Sequence, residues 1–400
     1  MTPEEYGRGL DSVVGAFVEA AAAKSTAFFE RLESAGLVAA EMRTVQDLSR
    51  LPVLSKDDLL QLQIMERPFG GLLAEGAAVR RLFQSPGPLY EPELDRTDPW
   101  RWAPALRAAG FESNDIVLNA FGYHLSPAGA MFEEGARAVG CAVLPGGVGN
   151  MDLQVQACAD LGITAFIGLP SYLKALLEKA EAIGVDLQIH HAFVTAEPLP
   201  PSLRSWLEER VSSVRQGYGT AETGNLGYEC ERAEGLHVPD DALVQVCDPV
   251  GGEPLWNGEE GQVVVTLFEE DYPLVRFGTG DLSRFIVEPC GCRRATPRLA
   301  GWLGRVGDAV KVRGMFLHPA QAERALAETP GLDSFRFVID RVEHRDELRC
   351  EIVAEEGIDE SALSEAVEQK IRSALRFRVD VQVVGDLPGD GIIDDRRTWE

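Results

Sequence analysis

A single carboxylate stands among three glycines in the stretch Gly217-Tyr-Gly-Thr-Ala-Glu-Thr-Gly-Asn225. The stretch follows a short apolar, strand-like run at 211–214. Glycine lets a backbone come close to a ligand, and Glu222 beyond a strand end suits a divalent cation bridged to phosphate. The plain alternative is an acidic loop residue in water. A second constellation lies downstream. Cys290 and Cys292 stand in EPCGC, and Cys230 and His237 in YECERAEGLHV. Three thiols and one imidazole make a closed tetrahedral zinc site when they converge. The Cys-x-Cys spacing is tighter than the usual finger, so four unrelated residues is the competing reading.

These residues need elements to position them. From residue 115 onward, apolar runs alternate with helical patterns of about ten to thirteen residues. Strands are expected at 115–122, 141–147, 163–170, 191–198 and 211–219, with helices at 127–139, 151–161, 171–183 and 201–211. That rhythm means parallel pairing with helices on both faces. In such sheets ligands sit beyond the carboxyl ends of the strands. Gly122, Gly146, Gly147, Pro170, Pro198 and Gly219 all fall there. Upstream, 11–37 reads as one helix, and LPVLSKDDLLQL (51–62) as an extended entry into a helix capped by Ser55. After 225 the rhythm breaks into β structure at 261–268 and 272–280. From about 308 a compact module follows: helix 319–328, strands 334–341 and 347–354, helix 361–376, strand 378–384. The fold class is α/β: a large N-terminal domain with a parallel α/β sheet plus a small β unit, and a small C-terminal α+β domain.

Composition narrows the function classes. The 400 residues carry 45% hydrophobic and 26% charged residues, ordinary for a globular protein of two or three domains. A net charge of −26 argues against nucleic acid or an anionic membrane as partner. An anionic ligand must then meet a local positive patch, for which Arg80, Arg81, Arg276, Arg305, Lys311 and Arg313 are candidates. No apolar run reaches the roughly 18 residues of a membrane span. Early acidic residues, Glu4, Glu5 and Asp11, argue against a signal peptide. Seven cysteines, an odd number without a small-scaffold pattern, fit a reducing cytoplasm.

Four stretches in order now fit one picture: TAEP (195–198), YGTAETG (218–224), VRFGTGDLSRF (275–285) and LGRVGDAVKVRGMFLHP (303–319). Together with FGYHLSPAG (121–129), LGITAFIGLPSYLKALLEKAE (161–181) and LPVLSKDDL, they resemble the adenylate-forming enzymes, within them the phenylacetate–CoA ligase-like family. The resemblance covers about residues 80–400. It implies an ATP-dependent carboxylate–CoA ligase for an aryl, phenylacetate-type acid, working through an acyl-adenylate, with magnesium and coenzyme A. It implies that Glu222 helps hold magnesium, with Thr220 beside it. Tyr218 and Gly219 would lie against adenine, with Ala196, Glu197 and Pro198 lining the base. Asp281 would accept both ribose hydroxyls, a task suited to two oxygens, and Arg305 would contact ribose or phosphate. The resemblance divides the chain into 1–304, a hinge at 305–308, and a mobile small domain at 309–400, whose Lys311, Arg313 and Gly314 would face coenzyme A. Phe121, Gly122, Tyr123, His124, Gly146 and Gly147 would surround the acid. A homodimer is a further expectation from relatives of this kind.

Three departures from the family pattern point one way. The phosphate loop is reduced to FQSPGPLYEPE (83–93), keeping Ser85 and Gly87 but no lysine. Its Pro86 and Pro88 remove backbone donors. Ala221 replaces a hydroxyl residue, and 387–400 holds no lysine. Arg80, Arg81, Arg396 and Arg397 are the candidates to compensate. Two other functions fit such a chain: a catalytically weakened nucleotide- or acyl-adenylate-binding protein on this scaffold, and an adenylating enzyme with a different acceptor.

Overall fold

The computed structural model describes residues 1–85, 89–306, 310–312, 315–317, 319–342, 345–375, 377–387 and 391–397. The chain divides into two compact units, Met1–Trp302 and Leu303–Glu400.

The parallel centre of the first unit is built from the short apolar runs. Strands β3 (Ile116–Asn119), β4 (Ala142–Pro145), β5 (Ala165–Gly168), β6 (His191–Val194) and β7 (Ser213–Thr220) pair in parallel, in the order β4-β3-β5-β6-β7. β5, Ala-Phe-Ile-Gly, is buried along its whole length, as a parallel strand covered on both faces must be. Phe166 and Phe193 are fully excluded from water, each worth about 2–3 kcal/mol of hydrophobic transfer. Connections leave β3 toward β4 on one side and reach β5 on the other. This reversal opens a crevice at the carboxyl ends of β3 and β5. β7 turns back into antiparallel β8 (Gly224–Tyr228), which continues through β9 (Leu236–His237) to β14 (Arg298–Leu299) and β13 (Phe285–Ile286).

An antiparallel meander of β10 (Ala242–Cys247), β11 (Gly261–Leu267) and β12 (Phe277–Ser283) packs with the N-terminal helices in one core. The expected single helix at 11–37 is two, Asp11–Lys24 and Thr26–Ser34, bent by 113°. Ser25 makes the break: its Oγ caps the Phe28 N–H at 3.3 Å and donates to the Gly71 carbonyl at 3.1 Å. Ser55 caps the helix Lys56–Met65 through a reciprocal box with Asp58. Strand β12 begins five residues later than the expected 272: Pro273 and the left-handed Arg276 (φ 51°) hold the preceding stretch out of the ladder. β1 (Val79–Gln84) and β2 (Tyr90–Leu94) form a hairpin around the reduced phosphate segment.

The second unit carries a four-stranded sheet. Leu332–Val342 and Arg345–Ala354 pair antiparallel, flanked by Asp380–Val383 and Ile393–Asp395 in parallel. The helices Pro319–Leu326 and Glu360–Lys370 pack with it around Phe337 and Ile352. Among the described residues, no single helix is long and apolar enough to cross a membrane.

Candidate functional site

The turn between β7 and β8 carries Ala221, Glu222 and Thr223. Thr220 Oγ1 and Thr223 Oγ1 lie 2.9 Å apart, and the Thr223 N–H donates back to Thr220 Oγ1 at 3.3 Å. Gly219 is also close-packed within the protein itself. A Cβ at 219 would stand 2.2 Å from the Gly224 carbonyl oxygen and 2.8 Å from the Trp102 ring. Gly224 is left-handed at φ 71°, with its Cβ position 2.5 Å from the Trp100 carbonyl. Arg101, buried beneath, donates to the Thr223 carbonyl.

This turn presents Glu222 with its side chain only 4% exposed. Oε1 meets Lys56 Nζ at 3.1 Å, while Oε2 is buried and accepts no hydrogen bond from the described residues. An unsatisfied buried carboxylate oxygen is costly, so the arrangement suits an added cation. Behind it lies Glu91 on β2, whose carboxyl is pushed well above the usual range by burial and then by the charge of Glu222.

β12 brings Asp281 to the same hairpin. The Tyr218 hydroxyl donates to Asp281 Oδ2 at 2.9 Å and Trp302 Nε1 to Oδ1 at 3.2 Å. Burial and then the Asp281 charge push the Tyr218 phenol well up, so it stays a neutral donor. Thr279 Oγ1 accepts the Asp281 N–H at 3.1 Å. The carboxylate is thereby oriented by its own neighbours. Past β6, Thr195 donates to the Gly217 carbonyl at 2.7 Å, tying TAEP to β7. Ala196 is left-handed at φ 67°, which costs an alanine about 1 kcal/mol. Glu197 accepts from Ser171 Oγ at 2.5 Å.

The expected acyl wall is mixed in character. Phe121 is buried and stacks on Phe132 with centroids 4.7 Å apart. His124 is exposed. Gly122 opens onto free space, while Asn119, fully buried, bonds the Gly129 carbonyl at 2.7 Å and Tyr123 Oη at 2.8 Å. Gly147 donates to the Asn119 carbonyl at 3.0 Å, and a Cβ at Gly146 would strike Leu118.

On the phosphate segment, the Ser85 N–H bonds the Leu89 carbonyl at 2.8 Å and its buried Oγ has no partner among the described residues. Gly87, the hinge residues 307–308, Arg313 and Gly314 lie outside the described residues, as does the Lys311 side chain. Arg305 is exposed, in the short strand Gly304–Arg305. The expected positive patch is dispersed. Arg80 and Arg81 are paired with Glu134, Arg81 also with Glu93, and Arg276 is fully buried, donating to the Gly252 carbonyl.

Cys230, His237, Cys290 and Cys292 converge, every ligating atom within 4.8 Å of the others. Cys230 Sγ lies 3.7 Å from Cys290 Sγ, and Cys292 Sγ 3.3 Å from His237 Nε2. His237 Nδ1 bonds the Thr296 carbonyl at 2.8 Å, which leaves Nε2 unprotonated toward the thiols. Burial holds the imidazole below its usual pKa, hence neutral. The backbone N–H groups of Arg232 and Arg294 point at the Cys230 and Cys292 sulfurs, at 3.4 and 3.3 Å. The donor set fits a closed zinc site, with no position left for a substrate.

Lys56, Glu91, Asn119 and Trp302 were not legible as site residues. For Lys56 the signal is the Leu-Ser-Lys-Asp-Asp run, which marks a helix cap and belongs to the family resemblance but gives the lysine itself no role.

A doubly covered parallel sheet, with Glu222 beyond its strand ends and Asp281 brought beside it by β12, is an α/β architecture suited to a nucleotide. Residues 107–266 match the family described as AMP-binding enzyme, and residues 314–388 the AMP-binding enzyme C-terminal domain. The phenylacetate–coenzyme A ligase of Thermus thermophilus is 32% identical over 376 residues, 88% of this chain and 84% of that protein. The phenylacetate–coenzyme A ligase of Escherichia coli is 27% identical over 390 residues, covering 90% and 86%. A crystal structure of 2-hydroxyisobutyryl-CoA ligase in an open conformation, with 2-HIB-AMP and CoA, shares the fold at TM-score 0.87 and 21% identity. It covers 100% of this chain and 93% of that one. The chain belongs to the AMP-binding enzyme family, alongside the phenylacetate–coenzyme A ligases.

Proposed function

We propose that this chain is an ATP-dependent carboxylate–CoA ligase, AMP-forming, for an aryl acid of the phenylacetate type. A carboxylate oxygen attacks the α-phosphorus of ATP and pyrophosphate leaves, giving an acyl-adenylate. The coenzyme A thiol then attacks the acyl carbon, its proton is lost and AMP leaves. The observation that carries the reading is Glu222, buried beyond the strand ends with Oε2 unpartnered, beside an Asp281 already oriented by Tyr218 and Trp302. Asp281 holds the ribose diol. Glu222 is the residue to hold magnesium, whose charge offsets that of the phosphates. Thr220 shapes the turn that presents it. Phe121, Gly122 and Tyr123 wall the acid, and Ala196 to Pro198 border the base. Arg305, Lys311 and the residues after it serve the nucleotide and coenzyme A from a small domain that moves between the half-reactions. Zinc in the Cys3His cluster is structural. The seven cysteines are all unpaired, which suits the reducing cytoplasm.

The test is ATP–pyrophosphate exchange over a panel of aryl and short alkyl acids. Exchange with any of them, reduced at least a hundredfold in Glu222→Gln, supports the ligase. The reduced phosphate segment and Ala221 favour a second reading, a nucleotide-binding protein without turnover. Silence across the panel, with ATP still raising the unfolding temperature, selects it.

A further inference from the structure

A triphosphate brought to this site enters a chain of net charge −26 and meets Glu222 and Asp281. Most of the expected cations are engaged elsewhere. Arg80 and Arg81 are held by Glu134, with Glu93 on Arg81 as well, and Arg101 and Arg276 donate to buried carbonyls. In the second unit, Arg396 is held by Asp394, and Arg397 by Asp395 and Asp346. The chain has six lysines. Lys24, Lys174, Lys179 and Lys370 reach Glu270 with Asp271, Glu178, Asp152 and the Glu328 carbonyl, respectively. Among the five lysines whose side chains are described, Lys56 is the one placed at Glu222, Nζ to Oε1 at 3.1 Å, with its side chain 38% exposed.

Its base is fixed. The Leu54 N–H bonds the Arg276 carbonyl at 2.8 Å and the Gly278 N–H bonds the Leu54 carbonyl at 2.9 Å, locking the segment to the start of β12. The Ser55–Asp58 box then sets the first helical turn. From that anchored Cα, a flexible four-carbon stem carries a compact ammonium between the buried carboxylate and solvent. We propose that Lys56 is the phosphate-binding lysine of this chain, in place of the one missing from 83–93. Without nucleotide it neutralises Glu222. With ATP and magnesium it turns to the β- and γ-phosphates, while Glu222 takes the metal. The inference rests on the ligase reading above.

Calorimetric titration of the full chain with ATP plus magnesium, and separately with AMP, tests it in wild type, Lys56→Met, Lys56→Gln and Lys56→Arg. Thermal unfolding checks each fold, and Lys56→Gln keeps a polar neighbour for Glu222 should the Met variant fail to fold. The neutral variants are expected to lose about tenfold to a hundredfold in ATP affinity. AMP, lacking the β- and γ-phosphates, should bind as in wild type, and Lys56→Arg should recover most of the loss. Equal losses for ATP and AMP, or no loss for ATP, overturn the inference alone. A wild type that binds neither nucleotide overturns it together with the ligase reading.

Discussion

One hairpin contributes to both the Glu222 cluster and the Cys3His cluster, and they are built on opposite rules. At its turn, Glu222 keeps a buried oxygen without a donor and leans on a half-exposed lysine. Past the far end of β8, Cys230 joins His237, Cys290 and Cys292: the sulfurs of Cys230 and Cys292 receive backbone N–H groups and His237 is fixed by a carbonyl. A cluster with its ligands held in place favours one geometry, and an ion bound there would stabilise the loops that hold it. A cluster with an orphaned valence stores a local cost until a ligand arrives. On the proposed reading, that difference is the one between a scaffold and a site of turnover.

The largest expected effect is a double dissociation. Glu222→Gln should lower pyrophosphate exchange by about a hundredfold or more with little change in unfolding temperature. Cys292→Ser should do the reverse: zinc content falls and stability drops by roughly 3 kcal/mol, while nucleotide affinity stays near wild type. Metal analysis, denaturant midpoints and exchange rates on the same preparations read it out. If Cys292→Ser abolishes exchange at full stability, the two clusters are not separable as argued.

Gly219→Ala comes next and sharpens the point about the turn. Its new methyl would meet the Gly224 carbonyl and Trp102, and backbone cannot yield as a flexible side chain does. A loss of about 2–3 kcal/mol in urea unfolding is expected. A neutral result would mean that glycine serves the ligand rather than the fold.

How much of this was readable in advance follows from range. The strands from β3 to β7 were legible because each is a short apolar run followed by a helical period, a local signal. Cys290 and Cys292 announced themselves by chemistry and spacing. The broken helix at Ser25 was not, because its cap also depends on the Gly71 carbonyl, distant in sequence. The place of Lys56 depends on the bridge from Leu54 to Phe277, a pairing that no local pattern encodes. The burial of Glu91 likewise follows from packing of β2 near Glu222, where a polar alternation reads as a surface strand.

Tyr218→Phe probes the oriented half of the turnover cluster. It removes the 2.9 Å donor to Asp281 Oδ2 but leaves Trp302 on Oδ1. AMP affinity should fall by about tenfold, worth about 1.4 kcal/mol, with the fold unchanged. Equilibrium dialysis with labelled AMP measures it. An unchanged affinity would mean that packing alone orients Asp281.

The smallest effect tests the rule on a carboxylate remote from both clusters. Asp47 Oδ2 accepts the Arg43 N–H at 3.0 Å, the Thr44 N–H at 2.9 Å and the Thr44 hydroxyl at 2.8 Å. The Arg43 N–H first, then the Thr44 hydroxyl, holds the carboxyl below its ordinary value. A depressed folded pKa means that the unfolded chain takes up its proton first as pH falls. The stabilisation is therefore present above the ordinary carboxylate range, and is lost as pH drops through the folded value. Asp47→Asn keeps an acceptor but not the charge. It should cost about 0.5 kcal/mol near neutrality, discounted for exposure, and nothing once the pH lies below the folded value. Urea midpoints at the two pH values check it, because a penalty independent of pH would mean that shape, not charge, makes this saturated carboxylate stabilising.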